Sequence, residues 1–466
     1  MIALLAGRAG REQVRVEYLD DLAEFAIALD LTGVPPAVVA TAHEQILDTL
    51  GVIVGGAQAE PVRQLAERWH SPDGPCWALG LGRRLLPRQA ALVNGTAGTW
   101  LDFDAGHRWS GGHPAVHVLP AALAVAQARR LSGKELLTAF IAGSEVACRI
   151  GLAKGPLVPV LHPHGSWPVF GAVAAVGRLC GITAGEVRRA MELAATLTLA
   201  TSWNTAFAGA TVRHVYAGLG AQLAIQAVEW TLAGWDGEPD GVGVVFGRIA
   251  AAGIVRRRAT IALGQQWEFA TSYLKPYPFA RFGHNAIDVL QELHTQHPFR
   301  ASDVARIVIR VGALGARMAH RHPQNELQAR FSLPHAVAVW LARGRLRPED
   351  FRDEALGDPE LRALAERVDV SEDPEWEALS PRWRGATVTV VLRDGRTLTG
   401  ETLYPTGDPE KPMLPEQVRE KFQQLVAPVV GAAATAAAMQ AVAALATLPT
   451  LEPLLEPLAG PLEAEP

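Results

Sequence analysis

From Val16 to about Ala262 the apolar residues of this chain recur at helical spacing, in stretches such as YLDDLAEFAIAL, AVVATAHEQILDTLGVIVGGA, GKELLTAFIAGSEVACRIGLA and GEVRRAMELAATLTLA. Beyond Gln265 the period shortens. ARIVIRVGA at 305–313 and ATVTVVLRDGRTLTGETLYP at 386–405 read as strands, the second a hairpin turning at Asp394-Gly395, with FSLPHAVAVWLARG and DPELRALAERV helical between them. EQVREKFQQLVAPVV and the alanine-rich run after it are helical again. This order implies a mainly α fold: a large helical domain formed by both chain ends, 1–268 and 406–466, around an inserted smaller α/β domain, 269–405.

Small residues within the helices, NGTAGTW at 94–100 and YAGLGAQLAIQA at 216–227, let helix axes approach closely. With 466 residues and 49% apolar content, the chain can bury a large core without staples. Its 43 basic and 48 acidic residues, net charge -5, give no general pull toward nucleic acid or a membrane surface, so a small-molecule partner is expected. Cys76, Cys148 and Cys180 are scattered, as in a reduced, cytoplasmic protein. The N-terminal MIALLAGRAG does not read as a secretory signal. From Gln423 to Leu451 no residue is charged, long enough to span a bilayer. Alanine is barely hydrophobic, however, and Pro428, Gly431, Thr435 and Gln440 interrupt the run, so a helix packed inside the helical domain is expected. The last few residues are expected to be disordered.

Four polar clusters carry the candidate chemistry. The first, LDFDAGHRWSGGHPAVHVLP at 101–120, places Asp102 and Asp104 at a helix end and His113 after a glycine loop, with Pro114 and Pro120 starting the next helix. A carboxylate beside an imidazole raises its basicity and fixes its orientation. Taken alone, the cluster reads more simply as a solvated loop with an aspartate cap. Asp102, Asp104, His107, His113 and His117 are also metal-type ligands, but their spacing matches no common zinc pattern, and no metal is expected. The second cluster, LHPHGSWP, sets His162 and His164 before a helix whose free amides near Gly165 suit a carboxylate. The third holds Arg213 and His214, and the fourth, LKPYPFARFGH, holds Lys275, Tyr277, Arg281 and His284 at the change of domain. GLGRRL and GVGVVFG lack the third glycine of a dinucleotide fingerprint and follow no convincing strand.

LDTLGVIVGGA, ALVNGTAGTWLDFD, HPAVHVLPAALAVA, KPYPFARFGHNAID, RFSLPHAVAVWLARG and LRDGRTLT followed by PTGDPEKPM, in this order, resemble the MmgE and PrpD family over nearly the whole chain. Its members include 2-methylcitrate dehydratase, cis-aconitate decarboxylase and an iminodisuccinate epimerase. The resemblance implies an α/β lid, a homodimer, and cofactor-free chemistry between the domains on a small carboxylic acid. By position, the family's site residues fall on Asp102, His113, His162 and Lys275. Ala105 and Gly106 stand where an aspartate and a threonine are usual, His164 replaces a threonine, Arg213 a lysine, and Phe279-Ala280 a pair often Cys-Cys or ending in histidine. These differences imply a differently shaped acid. The reaction expected is dehydration of a small hydroxylated di- or tricarboxylic acid, with epimerisation, decarboxylation and non-catalytic acid binding as alternatives. Arg213 and Lys275 hold carboxylates in this reading, His113 and His162 exchange protons with Tyr277 in reserve, Asp102 orients His113, and His164 and Arg281 line the substrate pocket.

Overall fold

The computed structural model describes residues 16–198 and 200–461. The readings of the N-terminal segment and of the last few residues fall on 1–15 and 462–466, outside this range.

Most of the described chain is helical, and the helices from Glu17–Ala28 to Val212–Leu232 share one hydrophobic core. Two glycine pairs bring helices into backbone contact. A Cβ on Gly95, in the Pro87–Trp100 helix, would lie 2.7 Å from Gly218 Cα of the Val212–Leu232 helix, and one on Gly218 would lie 2.2 Å from the Leu92 carbonyl. Gly143 and Gly171 do the same for the Gly133–Ala153 and Val169–Cys180 helices, each Cβ position falling within 2.5 Å of the other residue's carbonyl. Only glycine permits such packing. The Pro36–Gly56 and Gly133–Ala153 helices are long and apolar enough to cross a membrane, but both are built largely into this core.

After residue 279 the chain forms a second core. Its sheet contains Val304–Val311 (β1), Val368–Glu372 (β2), Ala386–Leu392 (β3) and Thr397–Thr402 (β4), in the order β2-β1-β3-β4. β1 pairs with β2 in parallel, and the other pairs are antiparallel. Along β3 the residues Ala386, Val388, Val390 and Leu392 are buried and the intervening ones less so, the two-residue period of a half-buried strand. Ile287, Val289 and Leu290 of the His284–Gln296 helix cover that face. The hairpin turns at Asp394-Gly395 as expected, with Gly395 at φ +91. From Met413 the chain rejoins the first core through Val418, Phe422, Leu425 and Val426 of the Pro415–Val430 helix.

Several local expectations fail. The short VDVSE strand was hidden beside the DPELRALAERV pattern, whose helix stops at Ala365. A two-strand ribbon, Cys76–Ala78 with Arg83–Leu85, interrupts the helical region. Pro120 lies inside the Ala115–Arg129 helix, not at its start. The alanine-rich run is not an interior helix: Gly431 separates it from the preceding helix, and Ala432–Ala443 buries only Thr435, Ala438, Ala441 and Val442.

Candidate active site

The Pro87–Trp100 helix ends in a turn that places Asp102 at φ +47, a conformation unusual for a residue with a side chain. Buried cations fasten this turn. Arg213 donates through Nη1 to the Thr99 carbonyl (2.9 Å) and through Nη2 to Asp102 Oδ1. Lys275 Nζ donates to the Asp102 carbonyl at 2.7 Å and to its Oδ2 at 3.0 Å. Lys421, from the Pro415–Val430 helix, donates to the carbonyls of Phe103 (2.8 Å) and Lys275 (3.1 Å) and pairs with Asp48 at 2.6 Å. Burial would raise the Asp102 pKa, but the charges of Lys275 and Arg213 outweigh it and hold it below the usual carboxylate range. This arrangement corrects two expectations. Arg213 and Lys275 are committed to Asp102 instead of standing free for a substrate, and Asp102 does not orient His113.

Asp104 takes that place. Its Oδ2 lies 2.8 Å from His113 Nδ1, while the Nδ1 proton is directed at the Ala105 carbonyl, 2.9 Å away. Among the described residues neither Asp104 oxygen receives a hydrogen bond, and Lys275 Nζ is 4.0 Å from Oδ1. Although burial opposes it, the charge His113 carries once protonated, together with that of Lys275, holds Asp104 far below the ordinary carboxylate range. With Nδ1 committed, His113 offers its Nε2 lone pair, and its side chain is 13% exposed.

Four imidazoles meet here: the His164 ring centroid lies 4.6 Å from that of His113, 4.8 Å from His162 and 5.5 Å from His117. Hydrogen bonds fix two tautomers. His117 Nδ1–H donates to the His113 carbonyl at 2.8 Å, and its Nε2 accepts the Gly165 amide at 2.9 Å. That amide is therefore spent inside the protein, against the expectation that it would hold a carboxylate. His162 Nδ1 accepts the His164 amide at 3.1 Å, which leaves its proton on Nε2. Burial depresses His117 to about 4 and His162 and His164 well below the ordinary imidazole range, so all three stand neutral. His164 is fully buried, has no hydrogen-bond partner among the described residues at either ring nitrogen, and its Nε2 lies 4.0 Å from Asp104 Oδ2.

The fourth cluster splits. Lys275 joins the site, whereas the Tyr277 hydroxyl donates to Asp288 Oδ1 at 2.7 Å and lies 3.0 Å from Gln291 Oε1, so it is not free to protonate a substrate. Arg281 is occupied by Asp408 (2.5 Å) and the Thr406 carbonyl (2.7 Å). Its guanidinium stacks 4.7 Å from the ring of Tyr273, which in turn stands edge-on to His113 at 6.2 Å. His107 is bound at both nitrogens, by Ser110 (2.8 Å) and Thr271 (2.9 Å), and shapes the loop.

Among the described residues, Asp104, His113 and His164 are the group able to offer metal-ligand atoms within 4.8 Å of one another. Lys275 close to Asp104 and the His113 Nδ1 proton both work against a cation there. Sequence reasoning gave Asp104 no part beside His113 and missed Tyr273 and Lys421. The carboxylate of Asp408, inside the quoted PTGDPEKPM motif, was a signal left unused, whereas Lys421 sits in an ordinary charged helix that gives none.

Comparison with known proteins agrees with this architecture. Residues 20–247 match the MmgE/PrpD N-terminal domain, and residues 277–446 match the MmgE/PrpD C-terminal domain. The chain belongs to the MmgE/PrpD family. It is 24% identical over 441 residues to the cis-aconitate decarboxylase-like protein oryM of Aspergillus oryzae, covering 88% of this chain and 90% of that protein. It is 25% identical over 423 residues to mouse cis-aconitate decarboxylase, covering 85% and 84%. It is 26% identical over 489 residues to the 2-methylcitrate dehydratase of Cupriavidus necator, covering 93% and 94%.

Proposed function

We propose that this chain is a cofactor-independent lyase that removes a proton from the carbon next to a carboxylate of a small hydroxylated di- or tricarboxylic acid and expels water. The observation that carries this reading is the setting of His113. Its Nδ1 proton is fixed on Ala105, ionised Asp104 stands beside it, and Nε2 is the lone pair left to act. Once Nε2 takes the substrate proton, Asp104 stabilises the imidazolium. His162, neutral with Nε2–H outward from its bond to the His164 amide, suits the oxygen on which negative charge gathers. The electrons of the broken C–H bond form the alkene as the C–O bond breaks, and the hydroxide leaves as water with a proton returned from the site.

A second reading, decarboxylation of an unsaturated acid, is favoured by the names of the Aspergillus and mouse relatives. In that case the protonated imidazole delivers a proton to carbon after carbon dioxide departs. Incubation in deuterium oxide with citrate-like, malate-like and tartrate-like acids and cis-aconitate separates the readings. Alkene absorbance supports dehydration, released carbon dioxide supports decarboxylation, and deuterium in unreacted acid without either moves the assignment to epimerisation. An unchanged panel sinks the enzymatic reading. The cytoplasmic homodimer belongs to the same proposal, and sedimentation equilibrium tests its assembly.

A further inference from the structure

Arg330, on the short Glu326–Arg330 helix packed into the second core, is fully buried. Its Nη1 donates to two carbonyls at once, Leu101 at 2.9 Å and Pro278 at 2.7 Å. Leu101 caps the Pro87–Trp100 helix and precedes Asp102, while Pro278 follows Lys275 in the same short segment. One nitrogen therefore spans the two stretches of chain whose side chains meet in the Asp102–Lys275 pair. Nη2 donates to Glu326 Oε1 at 2.5 Å and reaches the Pro348 carbonyl at 3.3 Å, and the guanidinium lies 5.3 Å from the Phe351 ring. The Arg330 carbonyl accepts the Ala280 amide at 2.9 Å, a second grip on the Lys275 segment.

Glu326 makes the same connection through its other oxygen. Its Oε2 accepts the Trp100 indole N–H at 3.3 Å, and Trp100 stacks on His214 with ring centroids 4.3 Å apart. Thr99, Leu101, Asp102 and Phe103 thus each give a carbonyl to a buried cation, in turn Arg213, Arg330, Lys275 and Lys421. Of these four cations, Arg330 is the one that belongs with the second core. A buried ion pair adds little stability over well-packed hydrocarbon, so its distinctive contribution is geometry. A planar guanidinium sets directions as well as distances, because its N–H groups form a rigid fork.

We propose that Arg330 is a positioning residue: through Leu101 and Pro278 it holds the reactive loop and the Lys275 segment at their working separation. The loop that carries Asp104 and His113 is then set only while the second core is seated against it. This rests on the acid-lyase reading for what the loop does, and not for how the loop is held. Loss of the fork should disturb the proton transfer at His113 more than the binding of an acid, lowering kcat with little change in KM.

Hydrogen exchange of the full chain, followed by mass spectrometry, tests the positioning without a substrate. The amides of Asp102, Gly106 and His107 are bonded to the carbonyls of Thr99, Tyr273 and Gly112, and their exchange reports whether the loop opens. The variants are Arg330→Lys, which keeps the charge but not the fork, and Arg330→Met combined with Glu326→Gln, which leaves no charge unpaired. Peptides covering 99–113 should exchange about 10-fold faster or more in both, the effect of losing a bond from a charged donor, with the Gly133–Ala153 and Val169–Cys180 helices unchanged. On any acid the wild type converts, kcat should fall by about 10-fold or more with KM little changed. Unchanged exchange in 99–113 overturns the proposal, and so does equal acceleration across the first core, which would make Arg330 a general stabiliser. A loop that loosens while kcat holds overturns it as well. If the double variant does not fold, Arg330→Lys decides alone. A wild type that converts no acid in the panel defeats the lyase reading and leaves the exchange measurement to decide the positioning.

Discussion

His113 Nδ1 lies 2.8 Å from Asp104 Oδ2 while its proton points to the Ala105 carbonyl, so neighbouring residues of one loop divide the work of charge and orientation. Asp104→Asn keeps the shape and removes the charge. Turnover on a substrate found in the panel should fall by about 100-fold with KM little changed, and His113→Ala should lose at least as much, about 100-fold or more. Near-normal steady-state rates in either variant would remove His113 from the base position.

Asp102, Arg213 and Lys275 form a buried group whose members satisfy one another. Replacing Lys275 by Met leaves Asp102 short of a partner in a dry place, at a cost of about 3–5 kcal/mol. Urea unfolding should show this loss, and Asp102→Asn in the same chain should recover part of it, because residues in contact are not additive. Equal stability of Lys275→Met and wild type would mean that water reaches the turn.

Acid should unfold the protein from an unusually high pH. Burial holds His107 and His214 down to about 3 and His117 to about 4. Unfolded imidazoles titrate near about 6.5. Below that pH the unfolded chain binds more protons than the folded one, so stability that is full above it is lost as pH falls toward the folded values. Each histidine contributes a slope of about 1.4 kcal/mol per pH unit over that window. Melting temperature followed from pH 7.5 to 5 should drop steeply on the acid side, and a flat profile would show these imidazoles already charged in the fold.

Gly218→Ala tests the packing of the helices that end at the site. The new methyl would meet the Leu92 carbonyl at 2.2 Å, and backbone cannot give way as a side chain can. A loss of about 1–3 kcal/mol is expected, with catalysis reduced as the turn at Asp102 shifts. Differential scanning calorimetry reads the first effect, and turnover reads the second.

The mainly α architecture was legible because helical period, strand alternation and the Asp394-Gly395 turn are local signals. Of the residues singled out for the candidate site, Asp102, His113, His162, His164, Arg213 and Lys275 do converge in space. Their partnerships were not legible. Sequence spacing places Asp102 and Asp104 two residues apart, yet the positive φ at Asp102 turns one carboxylate toward Arg213 and Lys275 and the other toward His113. Tyr277 and Arg281 carry the right chemistry in the right segment, but Asp288 and Asp408, distant in sequence, take them up. The exposed face of Ala432–Ala443 escaped for another reason, since alanine carries almost no signal for either side of a helix.

Lys421 reaches back across more than three hundred positions to the Phe103 carbonyl. A ribosome making this chain has completed the histidines, the aspartates and Lys275 well before that lysine is added. The reactive loop thus lacks its last tie through most of synthesis, and a chain cut short before residue 421 should fold much of its core yet turn over more slowly, its Phe103 carbonyl left without that donor.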